Sequence, residues 1–140
     1  METVIIIPGK PAPWAVYTRQ GPPSVTFQRM KAWQSSIQAH ARHAWGNKEP
    51  LTGPVVMDIE FWLEYPQSAP QRHEAAIERW IEKHKAMKPD RDNLQKACSD
   101  ALQGIVYFND SQVWNGQTTK NFATTLVPHT RITINPTGGG

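Results

Sequence analysis

The side chains best suited to chemistry lie in Lys88-Pro89-Asp90-Arg91-Asp92-Asn93-Leu94-Gln95-Lys96, with Asp110 following. Two or three carboxylates converging beside a lysine is how a protein holds Mg²⁺, a hard cation that fills its shell with water and substrate phosphate oxygens. A nearby ammonium neutralises charge that develops on the phosphate as it reacts. Pro89 biases Lys88 toward extended backbone, so Asp90 is expected on a loop leading into a helix. Asp90 and Asp92, two apart in extended chain, then point to one side. Lys96 follows Asp92 by four residues and shares a helix face with it and with Asp100, while Leu94, Ala97 and Cys98 point away. A plainer reading fits the same residues. Asp92 caps the helix with Gln95 reaching back, Asp90 is a loop acid, Asp92 and Lys96 form a surface pair, and Asn109-Asp110 makes a turn. A calcium EF-hand loop is excluded, because Leu94 and Gln95 stand where an oxygen ligand and a glycine are required.

These residues need elements to hold them. Thr3–Ile7 is a β-branched run stopped by Pro8-Gly9, and the proline-rich Lys10–Pro23 is a long loop. From about Phe27 to Trp45 the residues Met30, Trp33, Ile37, Ala41 and Ala44 recur at helical spacing until Gly46-Asn47. Val55–Tyr65 alternates apolar residues with Asp58, Glu60 and Glu64, the outward face of a strand. Pro66–Lys88 reads as a loop followed by a short exposed helix. A further helix covers about Asn93–Gln103, with Gly104 ending it. Ile105–Phe108 reads as a brief extended run, Val113–Phe122 and Arg131–Ile134 as strands, and residues 136–140 as a frayed tail. The order predicts one domain over residues 1–140 of α/β (α+β) class, a mixed sheet of about four strands packed against helices.

Composition narrows the class further. With 140 residues, 39% hydrophobic and 19% charged, the chain suits one folded domain and neither a disordered nor a supercharged one. Its longest N-terminal aliphatic run, Val4-Ile5-Ile6-Ile7, is far short of the roughly 20 residues of a membrane helix. A lone Cys98 rules out an intrachain disulfide, and the expected compartment is the cytoplasm. The net charge of +3 is unevenly spread: residues 1–48 carry +5 and the remainder −2. A basic third suits a polyanion, although scattered lysines and arginines also solvate helix faces. His40 and His43 lack an evident third metal ligand, and Trp33 and Trp45 fit the core face of their helix. Trp14 and Tyr17, on the loop, are open to loop anchoring or to base stacking.

The run from Lys88 to Ala97, Asp100-Ala-Leu102 and then Asn109-Asp110-Ser-Gln-Val113 resembles the RusA family of Holliday junction resolvases, as does the Ile7-Pro-Gly-Lys-Pro11 opening. The detailed likeness covers about Lys88–Lys120. It implies a Mg²⁺-dependent endodeoxyribonuclease, with Mn²⁺ able to substitute, that acts as a homodimer and nicks two strands of a four-way DNA junction in recombination and repair. By position it implies catalytic Asp90, Asp92, Lys96 and Asp110, with the three aspartates holding metal. It also implies DNA contacts at Lys10, Arg19, Lys88 and Lys120, and a bacterial or prophage source. Asn109 stands where the family usually has aspartate, and the loop after Pro11 lacks the family's usual basic run. A catalytically silent protein that binds branched DNA is the alternative.

Overall fold

The computed structural model describes residues 2–17 and 21–137. Arg19 and Gly138–Gly140 therefore lie outside the described residues. The sheet is organised around β2 (Val55–Glu64), whose alternation puts Val55, Met57, Ile59, Phe61 and Leu63 on one buried face. Along one edge it pairs antiparallel with β5 (His129–Pro136), which in turn pairs antiparallel with β1 (Thr3–Pro8). Along the other edge it pairs in parallel with both β3 (Val113–Asn115) and β4 (Thr118–Ala123). The result is a mixed five-stranded sheet in a single α+β domain.

The fifth strand arises because Val113–Phe122, expected as one strand, is two. Gly116, at φ 133°, breaks it, and a Cβ there would lie 1.9 Å from the Met57 carbonyl oxygen. No side chain fits so close to a neighbouring backbone, so the ladder is interrupted at this step between β3 and β4, while the register shift on β2, between Val55 and Val56, comes earlier, opposite Trp114. The Asp58 carboxylate holds the step by accepting from the Gln117 N–H at 2.8 Å.

Two helices share the core with the sheet. Helix α1 (Val25–Trp45) starts where the Ser24 hydroxyl accepts from the Phe27 N–H, two residues before the expected start. It buries Met30, Trp33, Ile37, Ala41 and Trp45, whereas Ala44, expected on that stripe, is exposed, since Trp45 continues the i, i+4 row from Ala41. Helix α2 (Glu74–His84) buries no residue and rests its Trp80 edge-on against Tyr65 and Phe122. Helix α3 (Arg91–Leu102) buries Leu94, Ala97, Cys98, Ala101 and Leu102 in the same core cluster as α1 and β2.

Ile105–Phe108 turns rather than extends, and only Tyr107 makes bridges, to Leu51 and Gln103. Its buried hydroxyl donates to the Ser99 carbonyl at 2.6 Å. Residues 136 and 137, expected in a frayed tail, are held: Pro136 pairs opposite Val55, and the Thr137 N–H donates to the Pro54 carbonyl at 3.1 Å. Among the described residues no helix is long and apolar enough to cross a membrane. Replacing Gly116 by alanine should lower the melting temperature by several degrees in circular dichroism, because forced left-handed backbone and a steric clash together cost more than about 1 kcal/mol. An unchanged melting temperature would contradict this account of the broken strand.

Candidate active site

Helix α3 begins at Arg91, not near Asn93, and this changes the geometry of the acidic pair. Asp90 is the N-cap residue in extended conformation, and its carboxylate makes no capping bond. Instead it accepts the Lys88 ammonium at 2.8 Å. Asp92 is therefore the second helical residue rather than the cap, and the capping arrangement of Asp92 with Gln95 does not form. Separated by two helical steps of roughly 100°, Asp90 and Asp92 leave the first turn on different sides. Extended chain would have aligned them; helix does not. The Lys88–Pro89–Asp90 segment is braced from β4, where the Lys120 ammonium donates to the Met87 carbonyl and, at 2.9 Å, to the Pro89 carbonyl. Lys120, expected at the DNA, thus has two of its three donors committed to the loop that carries Asp90.

Asp92, Gln95, Lys96 and Ser99 form one wall of a shallow pocket of about 350 Å³, and Asp110 and Val113 form the other. Asp92 is almost fully solvated, with its side chain 88% exposed. Asp110 opens a single 3₁₀ turn (Asp110–Gln112) whose position is set by glutamine side chains. The Gln112 side-chain Oε1 accepts from the Phe108 and Asn109 N–H groups at 2.8 and 2.9 Å. Its amide nitrogen donates to the Leu51 and Gly53 carbonyls at 2.8 and 2.9 Å, tying the turn to the chain that leads into β2. Asn109 caps the turn by accepting from the Ser111 N–H at 2.9 Å, a use that suits asparagine.

A second chain of contacts reaches the turn from α1. The buried Gln34 donates to the Ala97 carbonyl at 2.9 Å and to the Asp100 carboxylate at 3.2 Å. The other Asp100 oxygen accepts from the Gln103 amide at 3.2 Å, and the Gln103 oxygen accepts from the Asp110 N–H at 3.1 Å. Asp100 thus serves the Asp110 turn through Gln103, not Lys96 as its helix face suggests. Lys96 is steadied by Trp14: the ammonium lies 4.7 Å from the indole centroid, and the Trp14 backbone N–H donates to the Asn93 carbonyl at 3.0 Å. Reasoning from the sequence missed Gln34, Gln103 and Gln112. A glutamine on the apolar stripe of α1, and Gln112 within the Asn109-Asp110-Ser-Gln-Val113 run, were the available signals.

The structure therefore brings Asp92, Lys96 and Asp110 to one pocket and turns Asp90 toward the neighbouring groove. Among the described residues no three His, Cys, Asp or Glu side chains gather in a metal-binding group. Of the expected DNA contacts, Lys10 is paired with Glu64 at 2.7 Å and Lys88 with Asp90; both pairs are exposed and of little energetic weight. His40 Nδ1 lies 2.8 Å from the Ser36 carbonyl of its own helix.

A family model described as Endodeoxyribonuclease RusA matches residues 8–135. The chain is also 36% identical over 66 residues to the uncharacterized protein YqaN of Bacillus subtilis (strain 168). That match spans 45% of each chain, so it covers under half the length of the relative.

The contacts of the turn are separable by hydrogen exchange. Gln112→Ala should speed exchange of the Phe108 and Asn109 amides at least about tenfold, the equivalent of roughly 1.4 kcal/mol, while β2 and β5 stay protected. Gln103→Ala should release the Asp110 amide alone. Equal exchange in the variants and the parent would mean that the glutamines do not hold the turn.

Proposed function

Because the chain belongs to the RusA endodeoxyribonuclease family, we propose that it is a divalent-metal-dependent, structure-selective endonuclease that nicks four-way DNA junctions as a homodimer, in recombination or repair. The observation that supports this most is the meeting of Asp92, Lys96 and Asp110 at one exposed pocket from two separate elements. Two carboxylates and no softer donor fit Mg²⁺, or Mn²⁺ in its place, which takes one or two protein carboxylates and completes its shell with water and phosphate oxygens. When bound, the ion would supply a more acidic water and a polarised phosphate.

The protein side chains have distinct tasks. Asp92 and Asp110 would hold the cation and, through it, the register of the scissile phosphate. Lys96, kept near the pocket by the Trp14 face, would offset negative charge growing on the phosphate oxygens. Asp90 is the third family carboxylate, and its exposed ion pair with Lys88 exchanges at little cost. A backbone phosphate drawn to Lys88 would free Asp90 to serve the site. Two copies of the chain would supply the two cuts that resolution of a junction requires. The gathering of two rather than three carboxylates favours one second reading, a silent protein that binds branched DNA.

A synthetic four-way junction and a duplex of equal length separate these readings on a denaturing gel. The wild-type protein should nick the junction in Mg²⁺ at paired positions and leave the duplex intact. Asp92→Asn and Asp110→Asn should each lose at least about a hundredfold in rate without a lower melting temperature, and Lys96→Ala should lose roughly tenfold to a hundredfold. Folded wild-type protein that cuts in neither Mg²⁺ nor Mn²⁺ would overturn the nuclease reading. Selective junction binding in chelator would then support the silent one.

A further inference from the structure

Beside the acidic pocket lies a larger groove, of about 840 Å³, between the N-terminal loop, α1 and the lead into α3. Its loop wall is made of Pro11, Pro13 and Trp14. This wall is fixed: the Trp14 N–H is bonded to the Asn93 carbonyl, and the Ala15 N–H approaches the Met30 sulfur at 3.2 Å. Among the described residues the groove's cations are Lys10, Arg29 and Lys88, and its one carboxylate, Asp90, is already paired with Lys88. Arg29 has no ion-pair partner among the described residues, and the first turn of α1 carries no acid. Trp33 also lines the groove, and its buried indole N–H finds no acceptor among the described residues.

A flat proline and tryptophan wall facing three cations suits a ligand that is planar and apolar on its faces and anionic along its edge. That is a nucleotide. Duplex DNA hides base faces in its own stack and offers only edges and backbone, so only an unpaired nucleotide can use such a wall. The groove's volume is in the range of sites that enclose small ligands. It adjoins the catalytic pocket through Trp14, which it shares with Lys96, and through Asp90.

We propose that this groove seats one or two unpaired nucleotides of the strand being cut, with a base against Pro13 and Trp14 and phosphates on Arg29, Lys10 and Lys88. The proposal rests on the branched-DNA reading of the neighbouring site and adds what that reading leaves open: how a junction is told from a duplex. A duplex cannot give up a base without cost, whereas the crossover of a junction already carries loosened ones.

The test uses a four-way junction with 2-aminopurine at the crossover, a splayed-arm DNA and a duplex, all in chelator so that no strand is cut. Wild-type protein should change the 2-aminopurine emission on binding and prefer splayed-arm DNA over duplex. Arg29→Ala, an exposed position outside the acidic pocket, should abolish the emission change and weaken splayed-arm binding about tenfold. It should also reduce the slope of log affinity against log salt by about one, while duplex affinity stays within about twofold. No emission change with wild-type protein, or equal losses on all three DNAs, would overturn the proposal. So would saturation by thymidine monophosphate with no gain from a longer strand. Cleavage by wild-type protein without the emission change would sink the groove and leave the nuclease reading standing; the emission change without cleavage would do the reverse.

Discussion

The side-chain amide of Gln112 makes four hydrogen bonds, and the position of Asp110 depends on them. Two accept from the backbone just before the turn and two donate to the chain entering β2, so one residue locks a solvent-exposed turn to the central strand. A turn of three residues has no internal means of fixing a carboxylate against solvent. Without such ties the loss of backbone entropy, about 1–2 kcal/mol per ordered residue, would leave it mobile. Gln103 adds a fifth tie from the end of α3, and Asp100 and Gln34 extend that tie into the core beneath α1. The pocket is thus built from polar contacts anchored in an apolar core, and its two carboxylates stay exposed while their supports are half-buried at Gln112, Gln103 and Asp100 and buried at Gln34.

Electrostatics follow the same division. Of the cations in residues 1–48, Lys10 and Arg29 line the groove beside the acidic pocket. Lys10 and Arg29 meet Lys88 across the groove, while Asp92 and Asp110 face each other across the pocket. Trp14 stands between the two, with its ring beneath the Lys96 ammonium. The loop that lacks the usual run of basic residues keeps a role through this tryptophan, because an aromatic face holds a cation and also offers a stacking surface. Exposed ion pairs such as Lys10–Glu64 and Lys88–Asp90 leave these cations available to a stronger anion.

What could be read from the sequence was whatever depended on periodicity. The alternation of Val55 through Leu63 and the stripe of Met30, Trp33 and Ile37 specify β2 and α1 because a single buried face dictates each. That Asp92 and Lys96 line one pocket was legible for the same reason. Features set by contacts distant in sequence were not. Gly116 splits a strand only because the Met57 backbone lies against it, and a lone glycine does not reveal that neighbour. The start of α3 two residues early separates Asp90 from Asp92. Lys120 braces a loop 31 residues away in sequence rather than facing outward.

The central claim is that Asp92 and Asp110 act together as a cation site completed by a DNA phosphate. The most direct measurement is junction affinity as a function of Ca²⁺, which accepts the same oxygen ligands. Wild-type protein should bind the four-way junction at least about tenfold more tightly in saturating Ca²⁺ than in chelator. Asp92→Asn and Asp110→Asn should each remove that gain, and the double variant should lose no more than either one, as expected for two ligands of one ion. A double variant that keeps the full Ca²⁺ response would contradict the account.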